Sequence, residues 1–212
     1  MTVTDRAPLS RPRVAEAALA LIDERGLSQL SMRKLGAELG VEAMSLYNHV
    51  ANKDDLLGAV ADLLYSRILG EYGDAGGDWR DQARVMAGSY VSVAARHPHA
   101  FPLLLDRPPV GPGGLRFMER VVAVFDETTD DLHTAALAFS VVANWVIGTL
   151  VQQDDVLREL TPPEEDGFER VNAFRAEMIA LSPAEAFAEG LETVLAGIEA
   201  RYFSTSSSPP AG

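Results

Sequence analysis

The sequence predicts an all-α fold: an N-terminal three-helix, helix-turn-helix (homeodomain-like) domain followed by a C-terminal helical bundle. Three observations carry this. Apolar residues recur every three or four positions along most of the 212-residue chain, and no run alternates with the period of two that a half-buried strand needs. Ser, Asn, Gly and Pro stand at the ends of most of these runs, where helices start and stop. An apolar fraction of 47% can fill a core, and a charged fraction of 23% can solvate its surface.

Taken in order, residues 1–10 are polar and read as a flexible arm. Residues 11–25 carry Val14, Ala17, Ala18, Leu21 and Ile22 at helical spacing, and Gly26 stops that helix. Ser31 caps a short helix over 32–39, with Leu35 and Leu39 as its apolar pair, and Gly40 ends it. A second short helix is expected over 43–49. Asn52, with Asp55 three residues on, caps a longer one running to 69. Glycines 70, 73, 76 and 77 mark a linker. Residues 79–96 form the next helix, broken by His97-Pro98. A short apolar segment, 100–105, leads into Arg107-Pro108-Pro109 and a Gly/Pro-rich loop to Gly114. Helices follow over 115–126 and 130–154, then 168–180 after an acidic stretch. Ser182-Pro183 opens the last one, to about 203, and 204–212 reads as a disordered tail.

Composition excludes several classes of protein. With no cysteine there is no disulfide scaffold, zinc-thiolate finger, iron–sulfur cluster or thiol nucleophile, and a reducing, cytoplasmic location is expected. The net charge of −13 conceals an asymmetry. Residues 1–53 hold seven Lys and Arg against six acids, whereas 54–212 hold eleven Arg against twenty-five acids. One end can approach a polyanion and the other is repelled by it. Residues 14–22 do not make a signal peptide, since Glu16 interrupts them and Asp23-Glu24 replaces a small-residue cleavage site. The apolar stretch 135–151 is short for a membrane span and contains Ser140, Asn144 and Thr149, so it reads as a buried helix with no membrane partner.

The two short helices around Gly40 are the most informative segment. Gly40 permits the sharp backbone turn between them. Leu35, Leu39, Val41, Leu46 and Val50 pin them to the helices on either side, which leaves Ala43, Met44, Tyr47 and Asn48 facing outward. A DNA major groove admits one such helix. Residues 11–64 resemble the DNA-binding domain of TetR-family transcriptional regulators. The resemblance rests on Leu19 and Gly26, Ser31-x-Arg33-Lys34-Leu35, Leu39-Gly40-Val41, Leu46-Tyr47-x-His49-Val50 and Asn52-Lys53-x-x-Leu56-Leu57. Trp79, Arg96-His97-Pro98, the Arg107-Pro108 turn and the Gly148-containing helix resemble, less distinctively, the C-terminal domain of the tetracycline-repressor branch.

That resemblance implies an operator-binding regulator, expected to be a repressor, with DNA contacts from Arg33, Lys34, Ala43, Met44, Ser45, Tyr47, Asn48, His49 and Lys53. The chemistry of these side chains agrees. Arg33 can pair with phosphate or guanine, the Tyr47 hydroxyl suits a phosphate oxygen, and Lys53 lies at a helix N-terminus that favours phosphate. Ala43 and Met44, where relatives carry a polar residue, offer only apolar contacts such as a thymine methyl. Base readout therefore leans on Arg33, Ser45, Asn48 and DNA shape. Arg6, Arg11 and Arg13 can act as a minor-groove arm or as a simple basic tail.

A lone helix-turn-helix reads few bases, so a homodimer on a pseudo-palindromic double-stranded operator is expected. Residues 11–69 then form the DNA-binding domain with its connecting helix, and 79–203 a ligand-binding and dimerisation domain. Helices 130–154 and 183–203 are expected at the dimer interface, through Ala186, Phe187, Leu191, Val194, Leu195 and Ile198. A small, mostly apolar effector is expected in a pocket lined by Met86, Tyr90, Phe101, Leu104, Phe117, Met118, Val121, Phe139, Asn144, Trp145 and Thr149. Its release of the operator would act through helix 52–69. No cofactor and no metal are expected. His97 and His99 read as helix-end or surface groups, Asp130-x-x-His133 is a lone pair, and Leu103 or Pro102 stands where tetracycline repressors carry a metal-binding His. No phosphate loop, nucleophile elbow or metal-ligand pair argues for an enzyme. The competing reading is a helical-bundle interaction protein without DNA binding.

Overall fold

The computed structural model describes residues 8–126, 128–152 and 167–203, all of whose regular elements are helical. Ten α-helices run in the order α1 Arg11–Arg25, α2 Met32–Leu39, α3 Ala43–Leu46, α4 Lys53–Tyr72, α5 Trp79–Arg96, α6 Leu103–Asp106, α7 Pro112–Asp126, α8 Leu132–Gln152, α9 Glu169–Ala180 and α10 Pro183–Ile198. A 3₁₀ turn, Leu27–Gln29, follows α1, and a π-helical turn, Glu199–Phe203, ends α10. Most of the arm at 1–10, the end of the helix expected over 130–154 and the tail at 204–212 lie outside the described residues.

The chain divides into two compact units. One comprises residues 8–75 together with 88–120, and the other 76–87 together with the described residues from 121 on. Residues 88–120 follow the glycine linker in sequence but pack with the N-terminal helices. Aromatic rings cause this: Phe117 stacks at 5.4 Å from Tyr65 of α4 and 5.9 Å from Tyr90, which in turn meets Phe101 edge-on at 6.1 Å.

In the first unit α1 packs along α4, with α2 against both α1 and α3. Val14, Ala18, Leu19, Leu21 and Ile22 of α1 and Leu35, Leu46, Leu56, Val60 and Leu64 are all buried and make up its apolar core. Ser10, Ser31 and Asn52 cap α1, α2 and α4 through their side-chain oxygens. The buried end of α5 is tied in by polar groups. His97 places Nδ1 2.7 Å from Asp23 and Nε2 2.6 Å from Arg67, and His99 Nδ1 lies 3.0 Å from the Asp23 carbonyl. Both histidines thus join α5 to α1.

The second unit is organised by α8 against α10. Asp131 caps α8, accepting the N–H groups of His133 and Thr134. Trp145 stacks on Phe187 at 5.1 Å, and Gly190 lies so close that a Cβ there would stand 2.3 Å from the indole. Trp79 meets Phe125 and Phe203, and Arg80 and Arg84 both pair with Glu192.

Several helix bounds differ from the sequence expectation. The helix expected over 43–49 ends at Leu46, where the chain turns so that the Val50 N–H reaches the Leu46 carbonyl. α4 runs on to Tyr72, and α7 starts three residues early because Pro112 opens it. The α-helix expected to 203 stops at Ile198. α8 is not buried on all sides. Ala135, Ala138 and Val146 are buried on one face, whereas Leu137, Val141 and Asn144 are exposed on the other. It is also the one described helix long and apolar enough to cross a membrane, by length and composition.

Candidate nucleic-acid interface

The geometry of the helix-turn-helix is set by two glycines. Gly40 adopts φ 65°, a left-handed conformation natural to glycine, and so ends α2. Gly36 brings α2 so near the turn that a Cβ would lie 2.9 Å from the Val41 carbonyl oxygen and 3.1 Å from the Ala43 nitrogen. The Val41 N–H closes the turn on the Gly36 carbonyl. Leu46, fully buried, anchors α3. Its opposite face is open: Met44 is 71% exposed and Tyr47 44%, and Asn48 is exposed beside them.

Basic groups border this face. Arg33 is exposed at the start of α2 and Lys53 at the first position of α4. Lys34 is half-buried and donates to the Gln29 side chain at 2.7 Å, so its ammonium is already engaged. Ala43, Ser45 and His49 are half-buried beside the exposed Met44, Tyr47 and Asn48. All nine residues expected at DNA fall on α2, α3, the following turn and the start of α4.

Arg11 is neither a free arm nor a loose tail but part of the folded unit. Arg11 donates to both carboxylate oxygens of Asp55, at 2.6 and 2.8 Å, and to the His49 carbonyl at 3.2 Å. Asp55 also accepts the Ala51 N–H at 2.8 Å and, through its own N–H, is capped by Asn52. The start of α1 is thereby clamped to the turn that carries His49 and Lys53. The Arg11 guanidinium, with the Ala51 N–H, pulls the Asp55 carboxyl down to about 2. Residue spacing alone could not have shown this, because the partners stand 44 positions apart.

Farther along α4, the loop expected at 107–114 is gripped side by side. Arg107 donates to the Asp54 carboxylate at 2.6 Å, the Tyr65 hydroxyl donates to the Arg107 carbonyl at 3.1 Å, and Asp62 accepts the N–H groups of Gly113 and Gly114. Asp62 thus caps the start of α7 from a neighbouring helix. A groove of about 470 Å³ runs beside this contact, lined by Arg11, Asp55, Asp62, Ser66, Val110 and Arg116 among others.

The residues expected to line an effector pocket are split. Tyr90, Phe101, Leu104 and Phe117 are buried in the first unit, with Met118 half-buried there. Burial raises the phenol of Tyr90 well above its ordinary value and that of Tyr65 to about 12. Met86, Val121, Phe139, Asn144, Trp145 and Thr149 belong to the second unit. Two of these need no ligand to explain them. The Thr149 hydroxyl donates to the Trp145 carbonyl of its own helix at 2.7 Å, and Trp145 packs on α10. Asn144, expected to be buried, is exposed. None of the eleven borders the groove along α4.

The residues expected at the dimer interface are placed mainly inward. Leu191, Leu195 and Ile198 are buried within the chain, Phe187 and Val194 are half-buried, and Phe187 stacks on Trp145, while Ala186 is exposed. Much of the α10 stripe is therefore occupied by the chain's own α8. No cluster of three metal-ligating side chains occurs among the described residues.

Comparison with known proteins agrees with this geometry. Residues 14–60 match the family model of bacterial regulatory proteins of the tetR family, and 73–202 match that of the tetracyclin repressor-like C-terminal domain. An HTH-type transcriptional regulator of Saccharopolyspora erythraea is 34% identical over 142 residues, which are 67% of this chain and 60% of that protein. The HTH-type transcriptional repressor DrrR1 of Streptomyces coeruleorubidus is 37% identical over 118 residues, 55% of this chain and 43% of that one. The chain thus spans less than two thirds of the length of these two relatives. Among solved structures, ActR of Streptomyces coelicolor in complex with (S)-DNPA superposes with a TM-score of 0.78 at 28% identity, covering 92% of this chain and 98% of that one. Two family models in tandem, one of them matching more than half of its length, establish that the chain belongs to the TetR family of bacterial regulatory proteins.

Proposed function

We propose that the protein is a homodimeric, ligand-responsive DNA-binding transcriptional regulator that works in the cytoplasm as a repressor. The observation that carries this is the open face of α3, with Met44, Tyr47 and Asn48 outward and Arg33 and Lys53 at its rim. Phosphate contacts from Lys53, Tyr47 and the α4 N-terminus would set the register, and α3 would enter the major groove. A dimer would place two such heads about 34–36 Å apart on one side of the duplex. DNA binding is tested by retention of selected duplexes at rising salt. Steep loss of affinity supports the regulator, and no retention of any duplex favours a helical-bundle interaction protein.

The repressor sense follows the Streptomyces coeruleorubidus relative, named as one. A small, mostly apolar effector would be held at the buried aromatic group of Tyr90, Phe101 and Phe117, a reading supported by the complexes of ActR with (S)-DNPA and actinorhodin. Effector-induced displacement of the 107–114 loop would be transmitted directly to α4 through Asp54, Asp62 and Tyr65, and so to Lys53. The exposed face of α8, with Leu137, Val141 and Asn144 outward and the half-buried Gly148 in line with them, would be the surface for the second copy. On this reading residues 11–69 bind DNA and 79–203 hold effector and partner.

A further inference from the structure

We infer that Met44 is a specificity-determining residue that reads the C5-methyl group of thymine in each operator half-site. The inference rests on the DNA-binding reading and adds to it the identity of the base recognised. Met44 is, at 71%, the most exposed side chain among the large apolar residues of the helix-turn-helix, and it lies on α3 directly across from the fully buried Leu46. Its neighbours Ala43 and Ser45 are short, so the thioether stands beyond them. A methionine side chain carries no N–H or O–H donor and only a weak acceptor, so it can neither hold a phosphate nor select an amino or carbonyl group on a base edge. In the major groove one base edge is apolar, the thymine methyl. The unbranched side chain can follow that methyl across small differences in docking.

The rest of α3 supports this division of labour. Tyr47 and Lys53 carry the polar and charged groups suited to backbone contact, and Asn48 carries the amide suited to adenine. The backbone under Met44 is held from both sides. The Val41 N–H is bonded to Gly36, and the His49 carbonyl accepts from Arg11. Met44 is thus presented by a fixed scaffold and is left largely uncovered by the described residues.

The test uses the full chain and an operator obtained by selection from randomised duplexes. Each thymine is replaced in turn by uracil, which keeps base pairing and removes only the methyl. The expected result is a loss of about four-fold at one or two positions per half-site, the affinity equivalent of one buried methyl-sized group. Met44→Ala should bind the parent operator more weakly by a similar factor and be indifferent to uracil at those positions. A cytosine there should be tolerated better once it carries a 5-methyl group. Because Met44 is exposed, the variant should melt with the parent protein. If no uracil position lowers affinity, or if Met44→Ala keeps the full penalty, the inference fails while DNA binding stands. If selection recovers no duplex at all, the DNA-binding reading fails and the inference with it.

Discussion

Arg11 and Lys53 border the same turn yet should answer differently to mutation. Lys53 is exposed at the start of α4, and its loss should lower affinity for every duplex and reduce the slope of affinity against salt by about 1 per subunit. Tyr47→Ala should weaken binding across all sequences with little change of slope, since a phenol displaces no counterion. Arg11→Ala should also weaken binding, but by loosening the turn that presents Lys53, so the slope should stay that of the parent. Filter binding at several salt concentrations separates them, and a reduced slope for Arg11→Ala would reassign it to the DNA backbone. The same clamp has a pH signature. Asp55 is held near 2 in the folded chain, below the ordinary value of about 3.9. Its contribution is complete above that ordinary value and fades as pH falls toward 2. Asp55→Asn should cost about 1 kcal/mol at neutral pH, typical of a partly exposed pair, and progressively less as pH falls through 2. Melts from pH 6 to 2 would show the two curves converging, and parallel curves would deny the pair its role.

At the scale of elements, Gly36 and Gly58 make a paired test. Gly36→Ala drives a Cβ into backbone atoms at 2.9 and 3.1 Å, which cannot yield as a flexible side chain can. It should cost about 1–3 kcal/mol and displace α3, weakening operator binding with it. Gly58, inside α4, has open space where its Cβ would stand, so Gly58→Ala should stabilise by about 0.5–1 kcal/mol. Urea unfolding distinguishes them, and equal effects would contradict the tight turn. These elements also show how much was legible in the sequence. Caps at Ser31 and Asn52 and the stop at Gly40 are local events, so α2 and α4 began where spacing placed them, as did the outward face of α3. The end of α3 at Leu46 was not legible, because a backbone turn rather than a breaker residue stops it. The engagement of Lys34 by Gln29, the Arg11–Asp55 clamp and the Asp62 cap on α7 depend on tertiary proximity that periodicity does not encode. The inward placement of Leu191, Leu195 and Ile198 has the same origin. An apolar stripe records that a helix is covered, not by which copy of the chain.

For the whole molecule, the apolar positions that the single chain leaves uncovered are where a second copy would sit. On α8, Leu137 and Val141 remain exposed, one helical turn apart, with Asn144 and Gly148 continuing the same line. On α10, Leu195 and Ile198 are closed off by the chain itself. Charge introduced at the two places should therefore do different things. Leu195→Glu buries an unpaired carboxylate and should unfold the second unit. Val141→Glu places its charge on a surface that a single chain solvates, so the fold should persist. Two copies could not then close over it, and the protein should run as a monomer by light scattering with its helical signal intact. Operator affinity should drop at least about a hundred-fold, because two heads that bind as one unit would become independent. Asn144→Leu sharpens the assignment. An amide inside an apolar seam sets register at some cost in strength, so its replacement should leave a dimer, tighter but less exclusive in its pairing. A Val141→Glu protein that remained dimeric and held its operator undiminished would move the partner surface off α8. Covering of that face would then have to come from elsewhere, with α9 the next surface to test, since Phe168 before it and Val171 and Phe174 along it are exposed as well.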